Sequence, residues 1–468
     1  MISLSVKESL GIVKGSLIEE KPEFLDTHFT GVSIDSRTVS KGNLFVALSG
    51  EKYDGHDFVA QAVKSGARAV LVAETKRQKI SSGVTGTVPV ISVKDSKLAL
   101  QSLGANYRQR FDIPVVAITG SNGKTTTKEM TAQVLASRYE VVKSQKSFNT
   151  QVGVPLTIFE LTPETEVLIL ELGTSQFGEL SRLTEIARPT SAVILNIGPA
   201  HLETFGSLEN VAKAKFELLD RLPEDKPAFL NLDDPFLRKR ASQERHKVVS
   251  FALQTKADYQ ALDLLISGNG HIDFKVRHNL VRLNILGRHN VYNALATYAV
   301  AESFGLSHQE IARELENYKP ALLRMEILET GGVKLINDSY NANPVSMLAA
   351  LESLMQTKTA GRRIAVLGDM LELGNEAKKL HQEIGKKAAE SDLDYLLTVG
   401  VLAEFIARSA EVNGFSKKRV KSFDNNQAAT EHLLEILKPG DTVLLKGSRR
   451  MKLEEIAERL QLDMRSRG

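Results

Sequence analysis

Pro114-Val115-Val116-Ala117-Ile118-Thr119-Gly120-Ser121-Asn122-Gly123-Lys124-Thr125 decides how the rest of the chain is read. A short apolar run that ends at a glycine reads as a buried strand. The pattern from Lys124 to Ser137, with Met130, Val134 and Leu135 on one side, predicts a helix. A glycine turn between a buried strand and a helix N-terminus is the setting of a phosphate-binding loop. Gly120 and Gly123 let backbone N–H groups turn inward, and the helix N-terminus adds positive potential. In this reading the loop Thr119, Gly120, Ser121, Asn122, Gly123, with Thr126 behind it, holds the phosphates of a nucleotide. Lys124 reaches the β- and γ-phosphates, and Thr125 supplies a hydroxyl to Mg2+. The match is partial, because Ile118 stands where the full motif has its first glycine. The plain alternative is a glycine turn followed by a surface lysine.

Outward from this loop, further buried-strand candidates are Val167–Leu170 and Ala192–Leu195. Strands alternating with helices predict a mostly parallel sheet covered on both faces. From Ala228 to Leu286 the pattern changes to short alternating strands, read as an antiparallel edge, and a helix from Val291 to Phe304 closes this unit. Ahead of it, Phe45–Leu48 and Ala69–Val72 read as strands, Phe58–Gly66 as a helix, and Ser81–Thr87 as a loop. A helix over Lys97–Tyr107 then leads into the central unit. After Pro320 the rhythm restarts, with strands at Val333–Ile336, Arg363–Leu367, Tyr395–Val399 and Thr442–Leu445. One core rarely exceeds roughly 250–300 residues, so a chain of 468 holds two or three domains. The expected division is α/β throughout: 1–93, 94–320 and 321–468.

The 42% hydrophobic and 25% charged content is that of an ordinary globular protein, and a net charge of +3 gives no field for nucleic acid or membrane. Without cysteine, disulfides, thiolate metal sites and cysteine nucleophiles are excluded. No apolar run approaches the roughly 18–20 residues of a membrane helix, and Met1–Ile18 has no signal-peptide pattern. A cytoplasmic monomer is the expectation. The arginines at 449, 450, 465 and 467 read as a solvated tail rather than a nucleic-acid site.

Glu171 and His201 each follow a predicted buried strand, at the sheet rim where ligands bind in open α/β folds. A carboxylate and an imidazole there could hold Mg2+, although a lone glutamate is usually solvated and a lone histidine usually structural. Leu208, Val211, Ala212, Lys215, Phe216 and Leu219 fall on one stripe of a helix. A lysine in such a stripe either snorkels to water or changes its charge. Periodicity alone favours snorkelling.

Taken in order, the phosphate loop, Glu171, His201 and Lys215 resemble the Mur ligases, relatives of folylpolyglutamate synthase. Gly287-Arg288-His289-Asn290-Val291-Tyr292-Asn293-Ala294 resembles the family's G-x-H-N-x-x-N-A segment, which implies that Asn293 contacts the nucleotide. Arg324 matches the arginine that reaches the γ-phosphate from the last domain. Asp338, in the stretch that continues Ser339-Tyr340-Asn341-Ala342-Asn343-Pro344, matches the aspartate beside ATP, with Asn341 near it. At the front, Ser36 and Arg37, and Leu48-Ser49-Gly50, resemble the family's uridine-nucleotide domain. Ser147-Phe148-Asn149-Thr150-Gln151-Val152-Gly153-Val154-Pro155 resembles its N-N-x-x-G-x-P loop, with Thr150 in place of the second asparagine.

The resemblance implies three domains: a small α/β uridine-nucleotide domain, a central P-loop ATPase-like domain and a C-terminal Rossmann-like domain. It implies two Mg2+ ions, with Lys215 carrying CO2 as a carbamate that ligates metal beside His201. The stretches Asp338–Met347, Val366–Gly374 and Leu445–Arg449 are closest to the family member that adds D-alanyl-D-alanine to a UDP-N-acetylmuramoyl-tripeptide, using ATP and an acyl-phosphate. Lys446 and Ser448 are weaker candidates for contact with the amine substrate. The rival readings are a member that adds a single amino acid and a nucleotide-dependent switch.

Overall fold

The computed structural model describes residues 3–50, 52–145, 148–268 and 270–465. Ser147 of the N-N-x-x-G-x-P-like loop and Arg467 of the basic tail lie outside the described residues. The chain divides into two compact units. One comprises the described residues of 1–119, 138–192 and 217–227; the other comprises those of 120–137, 193–216 and 228–468.

In the first unit, a five-stranded sheet carries four parallel strands, Val32–Ser33, Leu44–Val46, Ala69–Ala73 and Val90–Val93, with Ser16–Leu17 antiparallel at one edge. Phe45, Val70 and Val72 pack against the helix Val59–Lys64 through Val59 and Ala62. Residues Ser36–Arg37 and Leu48–Gly50 follow the carboxyl ends of adjacent parallel strands, which is why they share one rim. The loop expected at Ser81–Thr87 contains a short helix, Ser82–Thr85, capped at Gly86. Its Val84 is the reason, being buried in the same core.

The same unit holds strands Val115–Thr119, Val141–Lys143 and Val167–Glu171. The last lies between the other two and runs parallel to both. All five residues of Val115–Thr119 and of Val167–Glu171 are buried, as a strand covered on both faces requires. Glu171 sits opposite Ile118, at the carboxyl ends of both strands.

The second unit begins with the phosphate loop and the helix Lys124–Ala136. Its strands Ala228–Asn231, Val248–Ala252 and Tyr259–Gln260 are parallel, so the antiparallel reading of 228–286 is corrected for this half. The crossover is the helix Pro235–Ala241, begun by Asp234 as N-cap with proline in its first turn. The antiparallel pattern holds only for the three-stranded sheet Leu262–Ile266, Ile272–Val276 and Asn279–Leu283.

Further along, a six-stranded sheet has the order Glu326–Thr330, Val333–Asn337, Thr442–Lys446, Arg363–Gly368, Tyr395–Val399, Val420–Phe423. Only Glu326–Thr330 is antiparallel to its neighbour. Apolar layers cover both faces, one around Ile336, Leu367 and Leu444, the other around Leu335, Val366 and Leu445. The alternation of inward residues along each strand produces these two layers. Among the described residues no helix is long and apolar enough to cross a membrane.

Candidate functional site

Gly123 has φ +84, and a Cβ there would lie 2.3 Å from Asn293 Oδ1. Glycine is therefore required twice over, by backbone conformation and by space. Asn293 is 3% exposed; it donates to Asn290 Oδ1 at 2.8 Å and accepts from Thr127 Oγ1 at 3.1 Å. Asn293 thus backs the loop from the helix His289–Ser303.

The loop is fastened to the segment after strand Ser191–Ile194. Ser121 N–H donates to Asn196 O at 3.0 Å, and Ser121 Oγ donates to Gly198 O at 2.9 Å. Asn122 N–H donates to Asn196 Oδ1 at 2.8 Å, and Asn196 Nδ2 donates back to Asn122 O at 3.1 Å. Lys124 Nζ donates to the loop's own Gly120 O at 2.7 Å. Thr125 and Thr126 are each 8% exposed at the start of the helix. Sequence reasoning misses Asn196 and Gly198, which belong to no motif and carry no charge.

Two contacts bring later residues to this loop. Arg324 Nη2 donates to Thr125 Oγ1 at 2.9 Å. Asn343 Nδ2 donates to Asn122 Oδ1 at 2.8 Å. Arg324 is presented by a strained turn, in which Leu323 has φ +62 and Met325 φ +52. Left-handed conformations at non-glycine residues persist where surroundings enforce them, and they concentrate at functional sites. Here Leu323 O accepts from Tyr340 N–H at 3.1 Å, and Met325 N–H donates to Asp338 Oδ1 at 3.2 Å. The Tyr340 ring lies 4.1 Å from the guanidinium, which steadies the charge by cation–π attraction.

Asp338 also pairs with Lys446 at 2.6 Å, and Lys446 Nζ donates to Asn341 O at 2.8 Å. Lys446 is 3% exposed, so its ammonium is directed at Asp338 and this turn. Ser448 Oγ accepts from Leu371 N–H at 2.9 Å. The cap of the helix Pro344–Gln356 is Asn343, which forms a capping box with Ser346.

Glu171 is 2% exposed; its carboxylate accepts from Asn149 Nδ2 at 2.8 Å and its backbone N–H donates to Ser144 Oγ at 3.1 Å. Thr150 Oγ1 accepts from Gly153 N–H at 3.3 Å, at the entry of the helix Gly153–Ile158. His201, in a left-handed conformation with φ +52, pairs through Nδ1 with Glu372 at 2.7 Å. The hydrogen bond from His201 holds the Glu372 carboxyl below the usual range, against the opposing effect of burial. Lys215 is 4% exposed in the helix Leu208–Arg221, with Val211, Ala212 and Leu219 also buried, so it does not snorkel. Burial, and after it the charge of Lys124, hold its amine well below the ordinary lysine value. Among the described residues no three His, Asp or Glu side chains converge as a metal site. Ligands of other kinds, such as a hydroxyl or a modified lysine, would be needed.

In the uridine-domain candidates, Arg37 chelates Asp35 through Nε at 2.9 Å and Nη2 at 2.6 Å. That guanidinium draws the Asp35 carboxyl down to about 2. Ser36 is buried and donates to Gln61 Oε1 at 3.4 Å. Leu48 O accepts from Gly55 N–H at 2.8 Å, Ser49 Oγ donates to Asp54 Oδ1 at 3.2 Å, and Gly50 N–H donates to Tyr53 O at 2.9 Å. A cavity of 510 Å³ lined by Gly331, Gly332, Lys334 and Gly440 lies at the amino ends of strands Val333–Asn337 and Thr442–Lys446. Asp338 and Lys446 mark the opposite, carboxyl ends, where such sheets bind ligands.

Residues 28–108 match the Mur ligase family catalytic domain, 118–301 the Mur ligase middle domain, and 323–449 the Mur ligase glutamate ligase domain. The chain is 38% identical over 462 residues to UDP-N-acetylmuramoyl-tripeptide–D-alanyl-D-alanine ligase of Bacillus subtilis (strain 168), covering 98% of this chain and 99% of that one. A crystal structure of MurF from Acinetobacter baumannii superposes with TM-score 0.88 at 30% identity, covering 99% of each chain. MurF from Thermotoga maritima in complex with ADP gives TM-score 0.81 at 29% identity, covering 94% of this chain and 98% of that one. With its glycine-turn lysine, its arginine on the loop threonine and three successive domain matches, the chain belongs to the Mur ligase family.

Proposed function

We infer that this protein is an ATP-dependent ligase joining D-alanyl-D-alanine to a UDP-N-acetylmuramoyl-tripeptide, giving the pentapeptide precursor of peptidoglycan in the cytoplasm. The observation that carries the reading is Arg324 Nη2 at 2.9 Å from Thr125 Oγ1. It sets a second cation beside the loop that already holds Lys124.

The tripeptide carboxylate attacks the γ-phosphorus of ATP, and the bond to the ADP oxygen breaks. Both reactants are anions, so the chain must neutralise charge where it accumulates. Lys124 and Arg324 do this, with the inward N–H groups of the loop and the helix N-terminus behind them. Asn293 and Asp338, with Asn341 beside it, keep the nucleotide in line, and Lys446 holds Asp338. The dipeptide amine then attacks the acyl carbon, phosphate leaves, and the amine loses a proton. An α-amino group with a pKa of roughly 7.7–8.0 is sufficiently neutral near pH 8 to need no strong base. Ser36, Arg37, Leu48, Ser49, Gly50, Asn149 and Thr150 are the residues assigned to the uridine-linked substrate. Domain boundaries near 93 and 320 fit this division of labour.

The donor types each suit Mg2+: the hydroxyl of Thr125, the carboxylate of Glu171, the imidazole of His201 and a carbamate on Lys215. When bound, Mg2+ neutralises phosphate and carboxylate oxygens. A neutral Lys215 amine attacks CO2, forms a C–N bond and releases a proton. The buried amine thereby becomes an anionic ligand, and its depressed basicity keeps it in the neutral, nucleophilic form.

The test is mass-spectrometric identification of the product from ATP, UDP-N-acetylmuramoyl-tripeptide and separate amines. D-alanyl-D-alanine should be incorporated and ATP hydrolysis should depend on it. Incorporation of a single amino acid instead, or hydrolysis indifferent to the dipeptide, overturns the reading.

A further inference from the structure

The stretch Val366–Gly374 has no part in the chemistry described so far, yet it brings a carboxylate to His201. Glu372 Oε2 lies 2.7 Å from His201 Nδ1. The contact is not a chance meeting of two long side chains. Glu372 O accepts from Glu203 N–H at 3.2 Å, so the two backbones are also joined. A Cβ at Gly374 would come within 3.1 Å of Glu203 Cα, which shows how closely the segments abut. Both partners have left-handed backbones, His201 with φ +52 and Glu372 with φ +64. The turn is anchored on either side of Glu372, by the Leu371 N–H bond to Ser448 Oγ at 2.9 Å and by the burial of Leu373 at 2% exposure.

Exposed ion pairs contribute little to stability. Stability alone therefore does not explain two non-glycine residues held in a disfavoured conformation to make one. Orientation does. A histidine that ligates a metal through one nitrogen commonly donates the other N–H to a carboxylate, which selects the tautomer and fixes the ring plane.

We propose that Glu372 is a positioning residue of the divalent-cation site, accepting the His201 Nδ1–H so that the Nε2 lone pair is presented to the ion. The proposal rests on the reading of His201 as a ligand. It adds a consequence: the cation site is complete only when the 370–374 turn is seated on the 201–205 segment.

The test measures cation binding without turnover. The full chain with ADP is titrated with Mn2+, and free Mn2+ is read by electron paramagnetic resonance, for wild type, Glu372→Ala, Glu372→Gln, His201→Ala and the double variant His201→Ala/Glu372→Ala. Thermal melts establish that each variant is folded. Glu372→Ala should weaken one Mn2+ site roughly 10–100-fold. Glu372→Gln, whose amide oxygen still accepts the Nδ1–H, should lose less. In the His201→Ala background, Glu372→Ala should change nothing further. Wild-type Mn2+ affinity in Glu372→Ala, beside a loss in His201→Ala, overturns the positioning role and leaves the ligand reading standing. An undiminished loss from Glu372→Ala in the double variant overturns it too, since Glu372 would then act elsewhere. Unchanged binding in His201→Ala overturns the ligand reading itself, and the inference with it.

Discussion

Arg324 and Thr125 are 199 positions apart in the chain, and their side chains meet at 2.9 Å. Thr125 immediately follows the loop lysine, so in the proposed reaction the guanidinium is the second cation beside the phosphates. Its position is set by the Leu323–Met325 turn and by the Tyr340 ring beneath it.

Replacing Arg324 by alanine should therefore slow the chemical step and leave the uridine substrate's affinity alone. Loss of one preorganised donor of transition-state charge typically reduces kcat by roughly 10²–10³-fold. Arg324→Lys should recover only part of this, because a point charge replaces a planar fork that also stacks on Tyr340. Steady-state kinetics and equilibrium binding of the UDP-linked tripeptide check the split. An unchanged kcat in Arg324→Ala would remove the role.

How much of this is legible in the sequence varies with the kind of signal. Strand Val115–Thr119 and helix Lys124–Ala136 are readable because a continuous apolar run, a glycine turn and helical periodicity coincide within a few residues. The antiparallel reading of Ala228–Asn231 fails because its cue, a short run of mixed residues, does not reveal strand direction. The Asp234-Pro235 signal of the crossover helix is present and points the other way. Lys215 stands out as a charge on an apolar stripe, yet periodicity alone does not distinguish burial from snorkelling. Glu372 and Asn343 lie inside segments that the motifs single out, but their contacts are long-range and nothing local announces them. The strained backbone at Leu323, Met325 and Glu372 has no sequence signature, since none of these is glycine or asparagine.

Gly123→Ala should abolish nucleotide binding while the rest of the fold survives. The added methyl meets Asn293 Oδ1 at 2.3 Å, and φ +84 is disfavoured for alanine by about 1 kcal/mol or more. Relief requires either the loop or Asn293 to move, and Asn293 is held by Asn290 and Thr127. The check is the rise in melting temperature on adding ADP, which any ligand selective for the native state produces. The rise should vanish in the variant. A wild-type rise would show that the loop tolerates a side chain.

Lys215 should carry CO2. In 13C NMR, the wild-type chain in 13C-bicarbonate should show a carbamate resonance that Lys215→Ala lacks, and the variant's turnover should fall at least roughly 10²-fold. Depressed basicity favours the reaction, because the neutral amine is the nucleophile and burial disfavours the ammonium. Full activity in the variant, or wild-type spectra with no carbamate, would exclude the modification.

His381 predicts how stability responds to acid. It is fully buried; its Nδ1 lies 2.6 Å from Ala377 O and its Nε2 accepts from Met370 N–H at 3.0 Å. One nitrogen must donate and the other accept, so the neutral ring alone satisfies both contacts. Burial holds its pKa below the model-peptide value of 6.5, against the opposing effects of the Ala377 carbonyl and Asp369. The unfolded chain therefore binds one more proton than the folded chain from about pH 6.5 down to the depressed folded value. Stability rises with pH across that window and is lost on acidification, by at most about 1.4 kcal/mol per pH unit from this group. His381→Gln does not titrate there. It should be less stable at pH 8, having lost a fitted ring, but its stability should fall less steeply between pH 7 and 5 than that of wild type. Other histidines contribute equally to both proteins and cancel in the difference. Urea denaturation of the pair at several pH values measures that difference directly. Parallel curves would mean that His381 titrates alike in the folded and unfolded chains, and that the two contacts do not enforce the neutral ring.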